Sequence, residues 1–309
     1  MCSDGLVALS TTDLSIPILA SIACLKCKQF VITGVWLIRF LLHNRYMKPN
    51  NKKRTSERVS FPNGRGQQLS GIMEWPAEPP RAFALFSHCF TCTKDLKATV
   101  RVSRRLADNG ICVLRYDFTG LADSEGDFSE TNFTTNCQDL LAAANFLEEQ
   151  HQGPSLLIGH SLGGTATATM ANQVRSATAV VTIASPSSTE RLAGFLVESS
   201  PEILAEGSGV VNIGGFQYTL KKQLIDDLRS YEIEQRVAEL KSPILIFHSP
   251  QDQTLPYSWG LKMFEAANSP KSFVTLDGSD HLLVDRRDDV NFVADTISQW
   301  FTRYQPASA

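Results

Sequence analysis

The chain has 309 residues, 43% hydrophobic and 20% charged, with a net charge of −3. That balance excludes a disordered polymer and a membrane bundle, and it gives no overall attraction to nucleic acid. The charge is uneven: residues 1–56 carry eight Lys and Arg against Asp4 and Asp13, a balance of +6, whereas the remainder carries 21 basic and 30 acidic residues, a balance of −9. A basic, partly apolar leader over 1–56 followed by one domain over 57–305 is the organisation expected.

Residues 14–42 are apolar enough to be weighed as a membrane span. Lys26 and Lys28 interrupt them and Arg39 follows. A spanning helix needs about 20 apolar residues, and a Lys near its centre costs about 2.5–3.5 kcal/mol. No charged region precedes the stretch and no small-x-small cleavage site follows, so the pattern is not that of a secretory signal. Residues 1–46 are expected to lie outside the fold, with membrane association through 14–42 as the alternative.

From about Val59 the pattern alternates. Strands are expected over 69–75, 82–87, 111–118, 155–158, 177–184, 243–248 and 272–276. Helices are expected over 94–109, 132–150, 162–175 and 258–267, and Val290, Val293, Ile297, Trp300 and Phe301 mark a closing amphipathic helix. Such alternation predicts an α/β fold, a mostly parallel, doubly wound sheet covered by helices on both faces. The rhythm breaks over about 187–241. There, apolar and polar residues alternate on either side of Gly214-Gly215, a hairpin signal, and two short helical stretches follow around Leu224–Leu228 and Ile233–Leu240. This insertion reads as a small cap over the C-terminal edge of the sheet, or else as a long crossover.

The seven cysteines show no framework spacing. Cys112 in an apolar run and Cys137 on an apolar helix face read as reduced core residues, which favours a reducing, cytoplasmic setting. Cys89 and Cys92 form a C-x-x-C pair that could be redox-active or simply part of a turn.

Gly159-His160-Ser161-Leu162-Gly163 is a G-x-S-x-G sequence. Alone it says little. Here it follows the apolar run Leu156-Leu157-Ile158 and opens a stretch of small helical residues, so a sharp strand–turn–helix would lift Ser161 to the top of the sheet. The competing account, a glycine-rich phosphate-binding turn, lacks the usual glycine pattern. A serine hydroxyl needs a base. Of the histidines downstream, His281 follows the last strand at the edge where Ser161 would sit, whereas His248 ends a strand and reads as a packed or supporting residue. Asp252, in the loop after strand 243–248, is the expected partner that orients His281. Asp277 and Asp280 lie too near His281 in sequence to meet it easily. Oxyanion donors are expected at the backbone N–H of Leu162 and, in the loop after strand 82–87, of Phe90.

These residues carry a family resemblance. Residues 57–305 resemble α/β hydrolases of the serine aminopeptidase-like (peptidase S33-type) group. They are most similar to the hydrolase half of bacterial proteins that fuse such a domain to an osmotically inducible peroxidase-like (OsmC-like) domain. The resemblance rests on the stretches His88-Cys89-Phe90-Thr91-Cys92-Thr93-Lys94-Asp95 and Asp117-Phe118-Thr119-Gly120-Leu121-Ala122-Asp123-Ser124-Glu125-Gly126, on the elbow, and on Asp252 and His281. It implies the α/β-hydrolase fold, a triad of Ser161, His281 and Asp252, and donors at Phe90 and Leu162. The usual His-Gly of the group reads His88-Cys89 here, and a glycine often found at position 122 is Ala122. The C-x-x-C falls inside the oxyanion loop, so its cysteines read as part of that turn. No OsmC-like half is found in the sequence, and peroxide chemistry is not carried over. The expected function is hydrolysis of a small carboxylic ester or related acyl compound, without metal or organic cofactor. The alternatives are an aminopeptidase or amidase, with Glu190, Glu198 or Glu202 holding an amine, and a non-catalytic scaffold.

Overall fold

The computed structural model describes residues 53–306. The segments assigned to a leader and to a membrane anchor, 1–46 and 14–42, lie outside them. The described residues form ten strands and nine α-helices. An eight-stranded sheet is assembled from β1 (Thr55–Pro62), β2 (Gln68–Trp75), β3 (Ala82–Ser87), β4 (Ile111–Tyr116), β5 (Leu156–His160), β6 (Ala179–Ile183), β9 (Ile244–His248) and β10 (Lys271–Thr275). Its order is β1-β2-β4-β3-β5-β6-β9-β10. Only the β1–β2 and β2–β4 pairs are antiparallel; every other neighbour is parallel. β1 begins two residues before the boundary drawn from the sequence at 56/57, because Thr55 pairs with Trp75 of β2.

The central strands β3, β4, β5, β6 and β9 are buried at every position. They must therefore be apolar on both faces, which is why they read as continuous apolar runs. Phe83 and Leu85 face a core with α2 (Phe133–Gln150) and α3 (Leu162–Met170). Ala84 and Phe86 face the opposite core, with α1 (Lys97–Asp108) and α9 (Arg287–Phe301). Asn132 caps α2 reciprocally: its side chain accepts from the Thr135 N–H while the Thr135 hydroxyl accepts from the Asn132 N–H. Helix 162–175 is shorter than expected. It ends at Met170 and continues as one 3₁₀ turn over Ala171–Gln173.

The rhythm break holds more structure than its sequence suggests. It contains α4 (Glu190–Ser199), α5 (Glu202–Ala205), a hairpin of β7 (Ser208–Ile213) and β8 (Phe216–Lys221), then α6 (Lys222–Arg229) and α7 (Ile233–Ala238). Gly214 and Gly215 have φ of +62° and +87° and form the two-residue hairpin turn. The Tyr218 ring lies 5.2 Å from that of Phe128, in a 3₁₀ turn beside the loop after β3, and its hydroxyl is 3.4 Å from the Thr91 carbonyl. Between β9 and β10 runs α8 (Tyr257–Ala266). Among the described residues no helix is long and apolar enough to cross a membrane.

Candidate active site

Ser161 sits between β5 and α3 with φ +53° and ψ −126°. A serine in that conformation is strained, and its neighbours hold it there. An added Cβ at Gly159 would meet the Gly163 oxygen at 2.4 Å, and one at Gly163 would meet the His88 oxygen at 2.2 Å. Only glycine permits these contacts, and the Ser161 N–H is tied to the Ile183 oxygen at 2.9 Å.

The structure brings together the three residues expected from the sequence. His281 Nε2 lies 3.1 Å from Ser161 Oγ, and His281 Nδ1 lies 2.7 Å from Asp252 Oδ2. The carboxylate is an acceptor, so Nδ1 carries the ring proton and Nε2 presents its lone pair to the serine hydroxyl. Asp252 is buried, and its Oδ1 accepts the N–H groups of Thr254 and Leu255, each at 2.8 Å. Burial pushes this carboxyl up. The neighbouring His248 and His281 N–H groups, and the positive charge His281 carries whenever it is protonated, outweigh burial and hold it well below the usual carboxylate range. His248 Nε2 lies 3.5 Å from Asp252 Oδ2 and 3.2 Å from the Leu255 oxygen, so this histidine supports the acid.

Asp277 and Asp280 do other work. Asp277 accepts from Gln251, and Asp280 accepts the backbone N–H groups of Leu282, Val284 and Asp285, closing the turn after His281. His160 drew no attention in the sequence beyond filling a variable place in the elbow. Its Nε2 donates to the His281 carbonyl at 2.7 Å, tying residue 281 to β5, the strand that leads into Ser161. Burial, then the charge of His281, lower its pKa to about 3, so it stays neutral.

Phe90 lies in the turn between Cys89 and Cys92. Thr91 there has φ +57°, the Cys92 N–H donates to the Cys89 oxygen at 3.1 Å, and a disulfide joins the two cysteines. The turn assignment holds, and the bond across it is an addition that sequence spacing did not require. Cys112 and Cys137 are free and buried. The Cys89 carbonyl also accepts from His88 Nδ1 at 2.8 Å, while His88 Nε2 accepts the Phe118 N–H at 3.2 Å. His88 thereby fixes the peptide plane whose N–H belongs to Phe90. Leu162 is the first residue of α3, where backbone N–H groups have no partner inside the helix. Among the described residues no cluster of three or more His, Cys, Asp or Glu side chains could hold a metal ion.

Comparison with known proteins agrees with this architecture. The model of the alpha/beta hydrolase family matches residues 83–291. The esterase domain of a Rhodothermus marinus protein is 38% identical, with a TM-score of 0.64, over 81% of this chain and 99% of that one. Human protein ABHD12B is 29% identical over 175 residues, 55% of this chain and 45% of that protein. Lysophosphatidylserine lipase ABHD12 of Danio rerio is 25% identical over 240 residues, 74% of this chain and 60% of that protein. The chain thus spans less than two thirds of either of the last two relatives. With its mostly parallel sheet, its elbow between β5 and α3 and these matches, the chain belongs to the alpha/beta hydrolase family.

Proposed function

We propose that this protein is a serine hydrolase that cleaves a small carboxylic ester through an acyl-enzyme. The observation that carries the reading is the unbroken relay from Ser161 Oγ through His281 to Asp252 at the elbow. Ser161 Oγ attacks the ester carbonyl as His281 Nε2 takes its proton. The N–H groups of Phe90 and Leu162 receive the oxygen that becomes negative. His281 returns the proton to the departing alcohol, and a water, deprotonated by the same nitrogen, releases the acid and restores Ser161. Asp252 keeps the useful tautomer and steadies the imidazolium. The chemistry calls for no metal or organic cofactor.

Within the family, the likeness to an esterase domain supports an ester over an amide. Of the three carboxylates weighed for holding a substrate amine, Glu190 pairs with Arg229 and Glu202 accepts from Ser200, while Glu198 is exposed near the end of α4. The S33-type and OsmC-fusion affinities remain the subgroup we favour, on the sequence stretches around His88 and Asp117. The test is labelling with a fluorophosphonate probe. Wild-type protein should label at Ser161, and Ser161→Ala should neither label nor hydrolyse p-nitrophenyl acetate. Labelling that survives in Ser161→Ala would remove the reading.

A further inference from the structure

One oxygen of the Asp252 carboxylate is approached by two imidazoles. His281 Nδ1 lies 2.7 Å from Oδ2, and His248 Nε2 lies 3.5 Å from the same atom. His248 ends β9 and is fully buried. Its Nε2 also faces the Leu255 oxygen at 3.2 Å. Two acceptors flank that nitrogen and would repel a lone pair there, so Nε2 carries the ring proton. Nδ1 is then a bare acceptor, and it has no hydrogen-bond partner among the described residues. An unmet buried nitrogen costs folding free energy, and an apolar side chain would close the end of β9 without that cost. What histidine adds is the N–H at Nε2.

Helix α8 holds the ring in this pose. Gly260 lies in its interior, where glycine is a poor helix former beside alanine. A Cβ added there would meet His248 Nδ1 at 2.7 Å, its Cβ at 2.9 Å and its Cγ at 3.0 Å. The His248 Cβ is one bond from the main chain, so turning the ring would not relieve the contact, and β9 or α8 would have to shift. Three residues earlier on α8, the Tyr257 ring stands nearly perpendicular to the imidazole, with centroids 6.0 Å apart. Leu255 completes the tie. Its N–H donates to Asp252 Oδ1 at 2.8 Å and its carbonyl accepts from His248.

We propose that His248 and Gly260 are positioning residues for the acid of the relay. The His248 N–H links the loop bearing Asp252 to the end of β9 and gives Oδ2 a second donor beside His281. Gly260 leaves the room that the imidazole needs to stay there. Both act through Asp252, so they govern turnover and leave substrate binding alone. This rests on the serine-hydrolase reading, because the pose of Asp252 matters to the rate only where His281 is the base.

The test measures kcat and KM for p-nitrophenyl acetate, well below each melting temperature, in wild type, His248→Leu, His248→Gln and Gly260→Ala. His248→Leu and Gly260→Ala are expected to lower kcat by on the order of tenfold, the worth of one hydrogen bond, with KM unchanged. His248→Gln, which keeps an N–H within reach of the acid, should recover most of the loss. In an Asp252→Asn background neither His248→Leu nor Gly260→Ala should lower kcat further, because the carboxylate they position is gone. If His248→Leu does not fold, Gly260→Ala decides alone. A wild-type kcat in either variant, a rise in KM at unchanged kcat, or the same fractional loss in the Asp252→Asn background would overturn the proposal. Hydrolysis persisting in Ser161→Ala would instead remove the serine-hydrolase reading, so the two failures are separable.

Discussion

On one side of Ser161 the turn after β3, which holds Phe90, is anchored by buried charge. Lys94 Nζ lies 2.7 Å from Asp117, its backbone N–H donates to the same carboxylate at 2.6 Å, and Arg115 bridges Glu74 at 3.0 Å and Asp95 at 2.7 Å. On the other side, the loops bearing Asp252 and His281 are held by short turns at the surface. Asp280 ties three backbone N–H groups, the Gln251 side chain accepts from Gly278 at 2.7 Å, and Ser279 donates to Asp289 at 2.6 Å. Buried ions fix a backbone firmly, but losing one partner leaves a desolvated charge. Exposed turns are individually cheap to lose. The first side therefore ties stability to the site, whereas the second lets its reactive groups be exchanged with little effect on the fold.

The largest test of that contrast lies in the relay. Ser161→Ala or His281→Ala should each lower kcat by on the order of 10⁶, and Asp252→Asn by on the order of 10⁴. Melting temperatures should stay close to wild type for Ser161→Ala and His281→Ala, whereas Asp252→Asn alters a buried, hydrogen-bonded carboxylate and should lower the melting temperature without unfolding the protein at room temperature. The contrast breaks if these variants unfold. The assignment of the acid breaks if Asp280→Asn abolishes turnover and Asp252→Asn does not.

A smaller test reads stability directly. Asp117→Ala removes the fully buried partner of Lys94 and should cost about 3–5 kcal/mol in urea unfolding. Asp280→Asn, across the site, should cost only about 1 kcal/mol. Equal losses would erase the difference between the two sides.

The smallest effect is on pH dependence. His160 is buried and neutral, its pKa moved from 6.5 to about 3. An unfolded chain takes up that proton as pH falls through 6.5, whereas the folded chain does so only near 3. Stability from this group is thus present above pH 6.5 and is lost progressively between 6.5 and 3, by about 2 kcal/mol at pH 5. His88, also lowered by burial, acts in the same direction. His160→Gln, which keeps a donor for the His281 carbonyl, should flatten the loss of stability between pH 7 and 5. An unchanged slope would show that His160 does not bridge the two sides in this way.

Much of this was legible in the chain because its signals are local. The elbow is a five-residue pattern behind an apolar run, and the buried strands announce themselves as runs such as Leu156-Leu157-Ile158. The Gly214-Gly215 hairpin needed two glycines and alternating neighbours. What was obscure depends on contacts made far along the chain. Helix α4 carries Gly194 in its interior and an exposed Phe195, so its apolar stripe is poor. Phe216 and Tyr218 look equivalent on the hairpin, yet Phe216 is 69% exposed while Tyr218 packs on Phe128. His160 acquires its part only when residue 281 folds back beside it. β1 was not expected as a strand, because its residues are mostly exposed and polar and only pairing with β2 makes them one.

The close approach at Gly163 has a mechanical consequence. With 2.2 Å between its absent Cβ and the His88 oxygen, main chain rests on main chain where the elbow meets the strand end, and no side chain lies between to flex or repack. β3 and β5 are laddered together directly behind that contact, with Phe86 opposite Ile158 and Ser87 opposite Gly159. On the function proposed above, the N–H groups of Phe90 and Leu162 would be carried on parts of one stiff body, their spacing would not be tuned by the loop alone, and a substrate would have to conform to the gap.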